Sequence, residues 1–143
     1  MQSQEAFSFL HIVGALGVAA VWIAAFSLLR EPMRQKLSAI MLAGAGAAYL
    51  SGGLGGWEIA ACVVFTAVAY KGLDDYRFIG LGWIMHTCWD LVHHFRGHAI
   101  LPFTPDSSAG CAICDVLLAA WYFLGARSIF GFAGSRRSEP AQI

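Results

Sequence analysis

Apolar residues form five long runs along this chain, separated by short polar or glycine-rich stretches. The runs cover residues 6–29, 37–54, 57–70, 78–95 and 108–130. A helix needs about 20 apolar residues, within a range of roughly 17–25, to cross the hydrocarbon core of a bilayer. The pattern therefore predicts an all-α membrane protein, a bundle of about five transmembrane helices. The third run has only 14 residues, so a four-span alternative, in which runs two and three form a re-entrant hairpin, stays open.

The composition supports a membrane protein. Apolar residues make up 58% of the 143 residues and charged residues 13%, against roughly 45–50% and ~25% in soluble domains. These values exclude a disordered tail and an ordinary soluble fold, and the net charge of zero gives no field that would steer polyanions. We expect the lipid bilayer as a partner and no nucleic acid. Residues 1–134 are expected to form a single transmembrane helical domain, and residues 135–143 a polar cytoplasmic tail.

The placement of positive charge predicts the orientation. In a five-span bundle, seven basic residues share one side of the membrane: Arg30, Arg34, Lys36, Lys71, Arg77, Arg136 and Arg137. Arg96 falls in a loop on the other side. Because Lys and Arg are retained in cytoplasmic loops, the N-terminus is expected outside and the C-terminus inside, in a bacterial inner membrane. Trp and Tyr side chains, Tyr49 among them, are expected in the interfacial belts or the core.

Ionisable side chains are concentrated in the fourth predicted span. His86, Asp90 and His93 lie at positions i, i+4 and i+7, which places them on one stripe of a helix. His94 lies beside that stripe. Ionisable residues inside a membrane segment are costly and by default mark a functional site. We therefore expect this stripe to line a pocket within the bundle.

The fifth predicted span carries Asp115, with Ser108 and Cys111 on the same helix face. From the helical rise, Asp90 lies roughly 10 Å and Asp115 roughly 12 Å below the outer loop. This shared depth predicts a pocket open to the extracytoplasmic side. Two other ionisable residues fall in the same outer half, His11 and Glu58.

Imidazole and carboxylate groups are ligands of zinc, iron and manganese. The predicted ligands of a divalent metal are His86, Asp90, His93 and Asp115. Asp90 and Asp115 are also the candidate catalytic acid–base groups. Candidate substrate contacts lie near the outer loop, and these are His94, Asp106, Ser108 and Cys111. The leading interpretation is a metal-assisted or acid–base enzyme acting on a lipidic or amphiphilic substrate.

Other interpretations remain open. The residues Cys111 and Cys114 form a Cys-x-x-Cys pattern near a helix start, which is typical of thiol–disulfide oxidoreductases, with Cys62 and Cys88 as a second pair. A His/Asp stripe also suits a small transporter of protons or metal ions, as a homo-oligomer. A structural or assembly role is the third alternative. One of two polar residues before the fifth span, Asp106 or Ser107, is expected to N-cap that helix.

The motif His86-x3-Asp90-x2-His93-His94, followed by Ser107-Ser108-x-Gly110-Cys111-x3-Asp115, resembles a family of short bacterial multi-pass membrane proteins of unknown function. The resemblance covers residues 82–121 and implies an inner-membrane location without implying an activity. The His-x3-Asp element is also similar to one motif of the membrane metal-hydrolase superfamily that includes alkaline ceramidases. That superfamily also has a second motif, and the similarity found here rests on the His-x3-Asp element alone. The chain also has five histidines, fewer than the integral diiron hydroxylases and desaturases require.

Overall fold

The computed structural model describes residues 9–50, 53–100, 104 and 106–131. This part of the chain contains helices and no strand, which confirms the all-α prediction. Its five helices are α1 (Phe9–Ser27), α2 (Met33–Gly46), α3 (Gly56–Gly72), α4 (Tyr76–Phe95) and α5 (Ser107–Phe123). The predicted tail, residues 135–143, lies outside the described residues, as do Arg136 and Arg137.

Two of the predicted segment boundaries are wrong. Helix α2 begins at Met33, directly after Pro32, and ends at Gly46, although the apolar run continues to residue 54. It ends there because the N–H groups of Ala47 and Ala48 donate to carbonyls three residues back, in tight turns. Helix α5 ends at Phe123 rather than near residue 130.

One helix among the described residues is long and apolar enough to cross a membrane by itself, and that helix is α1, with 19 residues. Helix α5 is apolar but has 17 residues. Helix α4 reaches 20 residues but carries the ionisable stripe. A single helix that passes this test is weak evidence for a multi-pass membrane protein.

Helix α4 lies at the centre of the fold, in contact with α2, α3 and α5, and α1 packs mainly against α5. The core joins side chains from all five helices, including Ala19, Leu42, Phe65, Ile79 and Tyr122. Many apolar side chains on the outer surface of α1 and α3 are exposed. The bundle is therefore apolar on its outside as well as within its core.

Arg34 links three segments at the end of the bundle opposite the ionisable stripe. Its guanidinium is buried and donates to the carbonyls of Phe26, Leu29 and Ala126, with N···O distances of 2.7–3.2 Å. It also pairs with Glu31 at 3.3 Å. Arg34 is counted among the basic residues of the cytoplasmic side, but its side chain is buried and holds segments of the fold together.

Two glycines allow the helices to approach closely. A Cβ atom at Gly46 would overlap the Cβ of Phe65 on α3, and one at Gly82 would overlap the side chain of Leu42 on α2. Gly44, on the same helix as Gly46, has open space at its Cβ position. The small residues near the end of α2 therefore form a close packing contact at Gly46 and not at Gly44.

We expect Gly46→Ala to destabilise the protein by about 1–3 kcal/mol, because the added methyl group overlaps the Phe65 side chain next to its backbone. Gly44→Ala is the matched control, and it should be neutral or stabilising because alanine favours the helix. Thermal unfolding of the purified proteins, followed by circular dichroism, measures both effects. Equal melting temperatures for the two variants would contradict the close α2–α3 contact.

Candidate functional site

His86 on α4 lies between two buried carboxylates. Its Nδ1 atom is 2.8 Å from Oδ2 of Asp115 on α5 and 3.2 Å from Oδ2 of Asp90, one turn along α4. All three residues are at most 4% exposed. The structure thus brings together three of the predicted site residues, which we call the triad.

The other ring nitrogen of His86 determines the tautomer. Nε2 is 2.9 Å from the backbone carbonyl oxygen of Ala45, and a carbonyl can only accept, so Nε2 carries a proton. This carbonyl is available because it lies in the last turn of α2, where carbonyls lack α-helical partners. The early end of α2 therefore contributes directly to the site.

The contacts at Nδ1 require a proton or a metal ion between the imidazole and the two carboxyl groups. If His86 is an imidazolium ion, Nδ1 donates to both carboxylates. If His86 is neutral, Nδ1 accepts from a protonated carboxyl group of Asp90 or Asp115. In either case one proton lies between Nδ1 and the two Oδ2 atoms, and a metal ion can replace that proton.

Tyr49 is a site residue that the sequence analysis missed. Its hydroxyl donates to Oδ1 of Asp90 at 2.6 Å, and its side chain is 2% exposed. Tyr49 follows the end of α2, in a stretch that hydropathy assigns to an apolar run. The sequence alone does not distinguish a tyrosine that hydrogen-bonds a buried carboxylate from one that lies in the membrane interface or the core.

The triad fits a divalent metal ion. One ligand atom from each of His86, Asp90 and Asp115 lies within 4.8 Å of the others, and all three residues are buried. The Nε2–H···O=C contact leaves the Nδ1 lone pair directed at the carboxylates, which is the arrangement that usually orients a metal-binding histidine. A set of one imidazole and two carboxylates suits zinc, iron or manganese.

His93 lies in a separate cluster, although it shares a helix stripe with the triad. Its Nε2 is 3.3 Å from Oε1 of Glu58 on α3, and both side chains are at most 2% exposed. The His93 ring stacks on Tyr49, with 3.8 Å between centroids. Oε1 of Glu58 accepts from the N–H of Leu54 at 3.2 Å.

Three polar atoms of this second cluster have no aligned hydrogen-bond partner among the described residues. They are Oε2 of Glu58 and both ring nitrogens of His93. Nε2 of His93 lies within ion-pair distance of Oε1 of Glu58, but the two atoms are not aligned for a hydrogen bond. A buried polar group without a partner costs about 1–3 kcal/mol. The cluster is therefore incomplete as a purely structural element.

The predicted substrate contacts are distributed around the C-terminal end of α4 and the N-terminal end of α5. Ser108 is buried and donates to the carbonyl of His98 at 2.9 Å. Cys111 is partly buried, and His94 lines an apolar groove between the two helices. Asp106 precedes α5, but its side chain makes no capping hydrogen bond. The prediction that Asp106 caps this helix through its side chain is therefore wrong.

The four cysteines are free thiols. Cys114 is buried, Cys62 and Cys111 are partly buried, and Cys88 is exposed. The predicted thiol–disulfide activity stays a prediction.

Two cavities adjoin these clusters. A cleft of about 580 Å³ lies where α3 begins and α4 ends, and its lining residues are Gly53, Leu54, Gly55, Trp57, Trp89, Val92 and Arg96. An apolar groove of about 420 Å³ runs between α4 and α5, and its lining residues are Thr87, Leu91, His94, Phe95, Ala109, Ala112, Ile113 and Val116. The cleft adjoins the Glu58–His93 cluster, and the groove runs beside the triad.

Comparison with known proteins identifies the family. A family model described as a family of unknown function, DUF6010, matches residues 10–128. The chain belongs to this family. The match confirms the expectation of an uncharacterised family and extends it well beyond residues 82–121. No curated protein and no solved structure matches the chain.

We expect Tyr49→Phe to lower the stability of this DUF6010 protein by about 1–3 kcal/mol, because a buried carboxylate oxygen of Asp90 loses its donor. Tyr70→Phe is the matched control, since Tyr70 is 68% exposed, and it should change stability by less than about 0.5 kcal/mol. Thermal unfolding of both variants measures the difference. A Tyr49→Phe protein as stable as the control would show that the hydroxyl does not support Asp90.

Proposed function

We propose that this protein is a multi-pass membrane protein whose His86, Asp90 and Asp115 side chains bind a divalent metal ion. The bound site would perform metal-assisted or acid–base chemistry on a lipidic or amphiphilic substrate. The observation that carries the proposal is the buried imidazole with Nε2 held by a backbone carbonyl and Nδ1 facing two carboxylates.

The chain's own groups have defined roles in this proposal. Ala45 fixes the tautomer of His86, and the Tyr49 hydroxyl holds Asp90 through Oδ1, leaving Oδ2 for the centre of the triad. Asp90 and Asp115 bind the ion or hold the proton that takes its place. When bound, a divalent metal supplies Lewis acidity and lowers the pKa of a coordinated water.

The distribution of polarity supports the membrane assignment. Buried side chains include Glu58, His86, Asp90 and His93, whereas α1 exposes Val18 and other large apolar residues along its length. Polar groups directed into a bundle with apolar groups outside are typical of membrane helices. The proposed location in the bacterial inner membrane rests on the resemblance of the sequence motif to bacterial multi-pass membrane proteins.

The groove between α4 and α5 supports an amphiphilic substrate. It is open along the bundle surface and mostly apolar, with Thr87 and His94 among its lining residues. Thr87 directly follows His86, and Val116 directly follows Asp115, so two of its walls belong to the helices that carry the triad. An acyl chain in this groove would lie beside the reactive groups.

Fusions to alkaline phosphatase and to green fluorescent protein test the orientation and the number of spans. With the N-terminus outside and five spans, fusions after Glu31 and Asp74 should fluoresce, whereas fusions after Gly55 and Gly97 should have phosphatase activity. The Gly55 fusion decides between topologies, because a re-entrant α2–α3 hairpin places it with Glu31. Fluorescence from every fusion would contradict a membrane-spanning bundle.

Elemental mass spectrometry of protein purified in detergent, without chelators or nickel, tests the metal site. We expect His86→Ala and Asp115→Asn to lose about one metal ion per chain relative to the unaltered protein, because each removes a ligand. Asp74→Asn, which alters an exposed carboxylate, is the matched control and should retain the ion. Equal metal contents in all four proteins would overturn the metal proposal.

A second candidate function is proton transfer. It is favoured by a continuous series of polar contacts, from Asp115 through His86 and Asp90 to Tyr49, whose ring stacks on His93. Such a series can relay protons without a metal ion. The metal measurement separates the two candidates, since only the first requires bound metal.

A further inference from the structure

We propose that Glu58 and His93, together with His98, form a second site for a divalent cation, at the outer end of α3 and α4. This site shares no ligand with the triad. Its three side chains come from α3, from α4 and from the segment that follows α4. Two imidazoles and one carboxylate are a common ligand set of zinc sites that keep an open position.

The first argument is the chemistry of the buried pair. Glu58 and His93 are almost completely buried, and Nε2 of His93 lies 3.3 Å from Oε1 of Glu58. Neither of these residues has all its polar atoms satisfied among the described residues. A cation held by the Glu58 carboxylate and by Nε2 of His93 would provide partners for groups that otherwise lack them.

The second argument is that other contacts hold both side chains in place. These contacts leave Oε2 of Glu58 and the ring nitrogens of His93 without hydrogen-bond partners. The N–H of Leu54 donates to Oε1 of Glu58 and fixes the carboxylate. The rings of Tyr49 and Trp89 contact the His93 ring, the first by stacking and the second edge-on. Aromatic contacts of this kind orient an imidazole and leave its nitrogens free to bind an ion.

The third argument is the position of His98. Its backbone N–H donates to the carbonyl of His93 at 2.9 Å, and its carbonyl accepts from Ser108, so the residue is anchored on both sides. Its ring meets the His93 ring edge-on, with 6.1 Å between centroids. In this proposal the partly exposed His98 side chain rotates from its place against the α2–α3 turn towards His93 to complete the ligand set.

Gly53 explains how the His98 ring fits against the α2–α3 turn. Its φ angle is +95°, and a Cβ atom there would be 2.8 Å from Cε1 of His98. The same turn carries Leu54, which holds Glu58. One short segment therefore contacts two of the three proposed ligands, Glu58 through Leu54 and His98 through Gly53.

The cleft at this end of the bundle provides a route to the site. Leu54 and Trp89, which contact Glu58 and His93, both line it. Arg96 also lines the cleft, and its positive charge would suit an anion better than a cation. The buried carboxylate of Glu58 favours the cation, and the Arg96→Gln variant distinguishes the two ligands.

Zinc binding to the full chain in detergent tests the proposal, by competition with a chromophoric chelator and by the visible absorption of the Co²⁺-substituted protein. We expect the unaltered protein to bind about two ions and Glu58→Gln to bind about one, since it loses the charged ligand of the second site. His98→Ala should weaken that same ion. Arg96→Gln, the matched control from the same cleft, should keep both.

The variants of the two sites separate this proposal from the proposed function. If Asp115→Asn loses one ion and Glu58→Gln loses none, the second site is wrong and the triad stands. If Glu58→Gln loses an ion and Asp115→Asn loses none, the second site stands and the metal function of the triad is wrong. Loss of zinc in Arg96→Gln with retention in Glu58→Gln would also overturn the second site, as would inorganic phosphate binding that Arg96→Gln abolishes.

Discussion

The central constraint on this structure is the pairing of one imidazole with two buried carboxylates. Asp90 and Asp115 lie on neighbouring helices, and both approach Nδ1 of His86. Two carboxylates this close in a buried site are tolerable only with a proton or a metal ion between them. The surrounding fold supports this contact in two ways. Helix α2 ends early enough for the Ala45 carbonyl to accept from Nε2 of His86, and the Tyr49 hydroxyl, just after α2, donates to Asp90.

Hydropathy predicts how many helices there are and roughly where they lie, because each helix contributes one apolar run. It does not predict where α2 and α5 end. The run that contains α2 continues through apolar residues such as Tyr49 and Leu50, yet the backbone already turns at Ala47. Hydropathy measures the preference of side chains for an apolar environment. Apolar side chains before and after a tight turn have the same preference, so hydropathy does not reveal where the helix ends.

Helical spacing predicts the face on which a residue lies, but it does not predict the partner that this face meets. His86, Asp90 and His93 do share a stripe, and the estimated depth of Asp115 correctly indicates a neighbour of Asp90 and His86. The stripe nevertheless meets two different surroundings, because α5 lies beside His86 whereas α3 lies beside His93. The Tyr49 hydroxyl and the Ala45 carbonyl depend on how α2 packs against α4, which spacing along one helix cannot encode.

Charge balance in the buried interior connects the two clusters. Glu58, Asp90 and Asp115 are all buried, and the imidazoles that face them are those of His86 and His93. Even with both imidazoles protonated, three carboxylates leave an excess of negative charge. The buried Arg34 does not offset it, because its guanidinium is engaged at the opposite end of the bundle. An uncompensated charge in an apolar bundle is strongly unfavourable, so the interior must take up further protons or metal ions.

Tyr49 contacts both clusters, through its hydroxyl and through its ring. A change of charge in one cluster therefore acts on a residue that positions the other.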